Sequence, residues 1–235
     1  MKDTDYYNQE SSQYSSKRYP ERETDYVQFF FKYRLKLVLD MLGRSLENRS
    51  APAALLEVGT ANGVVLRAAY DAFGAKLGRV EGNDIAPDMV GAAKAANGNR
   101  PISYFVREGS ALPGGFDVVL EVGVLNYAPW QEDLKAAHGA LQPGGVYICS
   151  IAGQGSFHAR MRGGEEGFDN MLSYAEYERH MRSLFTVAEA VPCGFFVPLI
   201  WRFPAAARVV QRAAEVLMRR IAPSLAHEKI YVLQK

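Results

Sequence analysis

Short continuous apolar runs alternate along the chain with longer segments whose apolar residues recur three and four positions apart. The first kind reads as a strand buried on both faces, the second as an amphipathic helix. Residues 55–58 form the first run, which carries Glu57 and passes through Gly59-Thr60-Ala61-Asn62-Gly63 into a helical pattern (Val64, Val65, Leu66, Ala68, Ala69) predicted to stop near Gly74. A second strand is predicted at 79–84, then a helix opened by Pro87 and closed near Asn97-Gly98. Strands at 102–106 and 116–122 follow, then a helix opened by Pro129 that ends at 141–145 (LQPGG), then a strand at 146–151. This rhythm predicts an α/β fold with a mostly parallel sheet and helices on both faces.

Before this core, residues 1–23 are polar and tyrosine-rich (Tyr6, Tyr7, Tyr14, Tyr19). They read either as a disordered tail or as a segment that orders over a site. Apolar residues from Val27 to Leu42 then repeat at helical spacing and predict a helix ending near Gly43. After the core, residues 153–170 are rich in Gly and charge and read as a loop, which would follow a strand's carboxyl end, where open α/β sheets bind ligands. A helix at 173–184 and strands at 185–191 and 229–233 complete the pattern. Between the last two strands lies an insertion, 195–226, with a helix predicted at 204–221. Its apolar face (Val209, Val210, Ala213, Val216, Leu217, Ile221) opposes Arg208, Arg212, Arg219 and Arg220. Two readings are open: a core-packed helix with a solvated basic face, or a surface that meets a membrane or a partner.

The 235 residues suffice for one α/β domain with an elaboration. A formal net charge of +1 argues against a general nucleic-acid binder. Cys149 and Cys193 stand at no metal-ligand spacing and read as reduced core thiols, which suits the cytoplasm; a disulfide is the alternative. No uncharged apolar run approaches the length of a membrane span, so the chain is expected to be soluble or at most peripheral.

The turn at 59–63 carries the chemistry. Glycines there remove the Cβ atoms that would keep a ligand from the backbone N–H groups at a helix N-terminus. Asp84, at the end of the second strand, is placed to accept hydrogen bonds from two ribose hydroxyls; a capping or solvated Asp is the plainer alternative. The turn fits Gly-x-Gly-x-x-Gly poorly, which disfavours a nicotinamide cofactor.

Four segments in order, LLEVGTANG, VEGNDIAPDMV, EGSALPGGFDVVLEVGVLNY and LQPGGVYICS, resemble the class I S-adenosylmethionine-dependent methyltransferases, particularly the type 11 small-molecule group. The resemblance covers about residues 55–151. It implies a seven-stranded sheet whose last strand is antiparallel, and S-adenosylmethionine as cofactor. With the pattern along the rest of the chain, the expected division is a lid segment and leading helix (1–47) and a methyltransferase domain (48–235), with 153–170 as substrate loop and 195–226 as helical insertion. The resemblance places the methionine moiety against Glu57, Gly59, Ala61 and Gly63, and the ribose on Asp84. Ile85 and Met89 would pack beside the adenine, Ser110 and Ala111 would line its edge, and Glu121 and Val122 would pass beneath the sulfonium. Arg34 matches an Arg that some relatives aim at the cofactor carboxylate; a solvated Arg is the alternative. Three departures stand out: Ala61 replaces a usual Gly, Ser110 replaces an Asp that accepts the adenine amino group, and Ala86 replaces a capping Ser.

Methyl transfer is an in-line displacement, and holding acceptor and methyl in attack geometry supplies roughly 7 to 11 kcal/mol. A hydroxyl acceptor gains on the order of 100-fold from a positioned base. His158, in the 153–170 loop, is the candidate base or an exposed loop histidine. Tyr127 orients the acceptor or merely packs. Glu165, Glu166 and Asp169 have no rigid ligand spacing, so no metal is expected. The reading is methyl transfer to a hydroxyl of a small molecule, with a saccharide or glycan intermediate as the class it leans towards, by a monomer or homodimer. An N-methyltransferase and an idle cofactor-binding scaffold acting through the basic insertion are the alternatives.

Overall fold

The computed structural model describes residues 4–154 and 171–235. Seven strands, β1 (Ala53–Val58), β2 (Leu77–Asp84), β3 (Ser103–Val106), β4 (Phe116–Glu121), β5 (Leu141–Ala152), β6 (Thr186–Cys193) and β7 (Glu228–Gln234), form one sheet in the order β3-β2-β1-β4-β5-β7-β6. β7 runs antiparallel to both of its neighbours, and the pairings among β1 to β5 are parallel. The order reverses between β1 and β4, so the crevice of a doubly wound sheet opens above the ends of these strands.

Alternation along the central strands divides the core between two layers. Leu55 and Val118 face a layer that includes Val38 and Leu42 of α3 (Tyr26–Leu46), Leu66 of α4 (Val64–Phe73) and Val90 of α5 (Pro87–Ala96). Leu56 and Val119 face Leu134 of α6 (Trp130–Ala140) and Tyr177 and Met181 of α7 (Tyr174–Met181). Burial on both faces is why these strands read as unbroken apolar runs. Cys149 and Cys193 are free and buried in these layers.

Three expectations change. Gly43 does not end its helix: α3 continues to Leu46, which is buried, because a bare Cα at Gly43 admits the Phe73 ring. Residues 4–18 are ordered as α1 (Thr4–Glu10) and α2 (Tyr14–Arg18), which pack over the carboxyl edge of the sheet. The insertion helix α8 (Pro204–Ile221) keeps its predicted bounds but turns the other way. Val209, Val210, Val216, Leu217 and Ile221 are exposed, while Gln211 and Glu215 are wholly buried. The packed face is polar because the chain leaving β6 presents backbone groups that require partners. Glu215 accepts from the N–H groups of Gly194 (3.1 Å) and Phe195 (2.9 Å), and the Gln211 amide donates to the Phe195 carbonyl and accepts from Val197 N–H.

Among the described residues, no helix is long and apolar enough to cross a membrane.

Candidate active site

The turn after β1 is fastened to β2 before any ligand arrives. Thr60 N–H donates to the Asn83 carbonyl (2.7 Å), and Ala61 N–H donates to Asp84 Oδ2 (2.8 Å). Asp84 Oδ1 accepts from Ala86 N–H at 3.0 Å. Burial raises the Asp84 carboxyl above its ordinary range, while these backbone donors pull it down. Gly59 (φ +67°) and Gly63 (φ +77°) occupy left-handed conformations, and a Cβ on either would collide, with Val124 at 2.4 Å and with the Tyr104 hydroxyl at 2.7 Å. Ala61 also adopts a positive φ, +47°. The methyl group that departs from the family's usual Gly is thus carried in strained backbone.

Above this turn the molecule holds a cavity of about 760 Å³, within the size range of ligand sites. Gly59, Ala61, Asp84, Ile85 and Met89 line one side, with Ser110, Val122, Tyr127 and Arg34 elsewhere on its wall. Asn83 also lines it, and neither atom of its wholly buried amide has a partner among the described residues. A carboxylate at a strand end and a glycine turn, with Ile85 and Met89 also lining it, give this cavity both polar and apolar walls.

Four expected contacts take other places. Glu57 braces the turn from below: its carboxyl accepts from the Thr60 hydroxyl (2.5 Å), and burial pushes it up to about 8. Gly63 caps α4 behind the cavity. Ala111 does not line the cavity either. Glu121 is wholly buried and accepts from the Tyr147 hydroxyl at 2.5 Å. Burial and the Asp133 charge push Glu121 up to about 8, so at neutral pH it keeps its proton beside Asp133. Asp133 in turn pairs with Arg107 (2.6 Å). Side chains alternate along β4, and Glu121 points into the layer away from the ligand. His158 lies outside the described residues.

Arg34 reaches the cavity but is not solvated. It is buried, forms an ion pair with Glu228 (3.0 Å) and lies over the Phe31 ring, 4.6 Å from its centre. Gly123 admits it; a Cβ there would come within 2.6 Å of Arg34 Nη1. Beside this pair stands His227, which also lines the cavity, its ring 5.4 Å from that of Phe30. His227 was not among the candidates named from the sequence. The signal was present: an antiparallel last strand starts at the sheet edge where the parallel strands end, and Ala152 at the end of β5 indeed pairs with Glu228.

Tyr7 and Tyr14 of the amino-terminal helices pack against Ala61, Ala86 and Met89. Asn8 Oδ1 accepts from Asp88 N–H (3.1 Å), supplying the first turn of α5 with the acceptor that Ala86 does not provide. The Asn62 amide donates to the Ser15 hydroxyl (2.5 Å), tying α2 to the turn.

Sheet order, switch-point crevice and acid-bearing turn together define a nucleotide-type site on a doubly wound α/β enzyme. A family model described as "Methyltransferase domain" matches residues 29–189, and the chain belongs to this family, the S-adenosylmethionine-dependent class I methyltransferases. Its cofactor is S-adenosylmethionine. No curated protein sequence matches the chain. Solved structures share the fold. Magnesium protoporphyrin IX methyltransferase from Synechocystis PCC 6803, with bound S-adenosylhomocysteine, is 14% identical, with 99% of this chain and 97% of that chain covered at a TM-score of 0.68. The N-methyltransferase NodS from Bradyrhizobium japonicum WM9, also with S-adenosylhomocysteine, is 15% identical, with coverages of 88% and 87% and a TM-score of 0.60. An S-adenosylmethionine-dependent methyltransferase from Mesorhizobium loti is 14% identical, with coverages of 84% and 98% and a TM-score of 0.58.

Proposed function

We propose that the chain transfers a methyl group to a hydroxyl of a small molecule with a ring-bearing or apolar body. In this reading Asp84 holds the ribose, Ile85 and Met89 flank the adenine, and the 59–61 turn faces the methionine moiety. S-adenosylmethionine supplies an electrophilic methyl group on a sulfonium. The chain's own contribution is to orient, to exclude water and to take a proton. α1 and α2 act as the lid, since Tyr7 and Tyr14 already pack on the turn and Asn8 on α5.

The observation that carries the acceptor assignment is His227 on the wall of the same cavity as Asp84. An amine acceptor arrives with a lone pair once neutral, whereas a hydroxyl must shed a proton as it attacks, and an imidazole is suited to receive it near neutral pH. Tyr14, Tyr26, Phe30 and Phe31 line the cavity as well, and their ring faces match the apolar face of a sugar or an aromatic ring. A saccharide intermediate therefore leads the acceptor classes to be tried. Tyr127, in the turn after β4, orients the acceptor hydroxyl, and His158 is the second candidate base.

The test is S-adenosylhomocysteine formation with sugars, phenols and amines, run with His227→Gln, His158→Gln and the parent chain. The expected result is turnover with a hydroxyl acceptor, falling about 100-fold in His227→Gln, with cofactor affinity unchanged. Turnover confined to amines, or a His227→Gln variant as active as the parent, would sink the hydroxyl assignment.

A further inference from the structure

Helix α8 is mounted with its polar side in and its apolar side out. Gln211 and Glu215 hold it through the backbone of residues 194–197. Arg208 donates to the Glu23 carbonyl (3.0 Å), and Arg219 donates to the Pro192 carbonyl and the Tyr33 hydroxyl (both 3.0 Å). Helical periodicity then turns Val209, Val216 and Leu217 to solvent, and all three are more than half exposed. Of the eleven large apolar side chains exposed among the described residues, seven fall between Leu199 and Ile221. This clustering marks a contact surface rather than scattered surface apolars.

Charge decides what covers it. Between residues 195 and 226 the only acid is Glu215, which is buried, whereas Arg202, Arg212 and Arg220 are exposed. A second copy of the chain would meet this face isologously, setting arginines against arginines with no carboxylate between them. A surface carrying fixed negative charge above an apolar layer satisfies both halves of the patch. We propose that α8, with Leu199 and Phe203 at its entrance, lies flat on an anionic phospholipid bilayer, its apolar residues among the acyl chains and its arginines at the headgroups. The helix is about 27 Å long and rests in the interface without crossing it. The insertion touches α3 through Trp201 on Phe29 (5.7 Å) and Phe196 on Tyr26 (4.7 Å). Tyr26 and Val27 line the cavity, so docking brings one cavity wall beside the bilayer. This inference does not depend on which acceptor is methylated.

The test is co-sedimentation of the full chain with vesicles of phosphatidylcholine alone and of phosphatidylcholine mixed equally with phosphatidylglycerol. Each arginine near an anionic surface contributes about fivefold, so partition onto the mixed vesicles should be at least about tenfold stronger and should fall with added salt. Leu217→Glu and Val209→Glu should each lower it about tenfold. Arg212→Glu combined with Arg220→Glu should erase the preference for the mixed vesicles. All these positions are exposed, so each variant should keep the parent's thermal transition. Absence of partition onto the mixed vesicles, or variants that partition like the parent, would overturn the proposal. So would a dimer in light scattering that Leu217→Glu dissociates, because a second copy would then own the face.

Discussion

The β1 turn and helix α8 were both visible as patterns, yet only the turn disclosed its orientation. At the turn, function follows from contiguous residues. A strand, a left-handed Gly59, Asp84 one strand away and Pro87 at the next helix fix where backbone N–H groups point. In α8 the periodicity established that two faces differ but not which one the body would take. That choice was made by unpaired backbone N–H groups at Gly194 and Phe195, which a carboxylate satisfies and a valine cannot. Amphipathic period therefore locates a helix, and the partners waiting on the scaffold choose its buried side.

Glu215→Leu breaks this comparison most severely. It strands two buried N–H donors, and the expected cost is about 3 kcal/mol, a fall in Tm of roughly 6 to 12 °C. The apolar residue next to the solvent side should behave oppositely, with Leu217→Glu within about 0.5 kcal/mol of the parent. Thermal unfolding of the two variants side by side reads both numbers; equal losses would refute the inverted mounting. At the turn, Gly59→Ala forces a methyl group into left-handed backbone against Val124, and about 2 kcal/mol should be lost together with cofactor affinity. A binding titration with intact affinity would show that the turn is not built around a close approach.

Glu57 and Glu121 give the two carboxyls of this region a measurable sign. Unfolded, each ionises near its ordinary 4.5; folded, burial holds each proton to about 8. Between these values the folded chain binds more protons, so stability should decline as pH rises from 5 to 8 and level off above. Glu121→Gln should flatten part of that decline, as chemical denaturation across the pH range would show. A small gain is expected of Ala61→Gly. Relief of the positive φ should outweigh the lost methyl contact with Met89, raising stability by less than about 1 kcal/mol.

The sheet was legible because each strand from β1 to β5 is a local apolar run flanked by Gly, Pro or Asp. The antiparallel β7 came through the family resemblance, since nothing in its own residues states direction. Gly59 and Asp84 were singled out for the same local reason, and Met89 through the resemblance. What escaped depends on chain distance. Arg34 meets Glu228 across 194 residues, and Asn8 caps a helix 80 residues away. His227 reaches the cavity only because β7 reverses. Glu121 was misplaced by one side of a strand: the period of two sends Glu121 to the far layer while Val122 lines the cavity. Alternation was readable there, but which parity faces the ligand was not.

The most direct measurement is calorimetric titration of the chain with S-adenosylmethionine, repeated with Asp84→Ala. Among the described residues, Asp84 is the one carboxylate that both fastens the turn and faces the cavity. One tight site per chain is expected, weakened at least about tenfold in Asp84→Ala while that variant still unfolds cooperatively. Undiminished binding by a folded Asp84→Ala chain, or no binding by the parent, would contradict it.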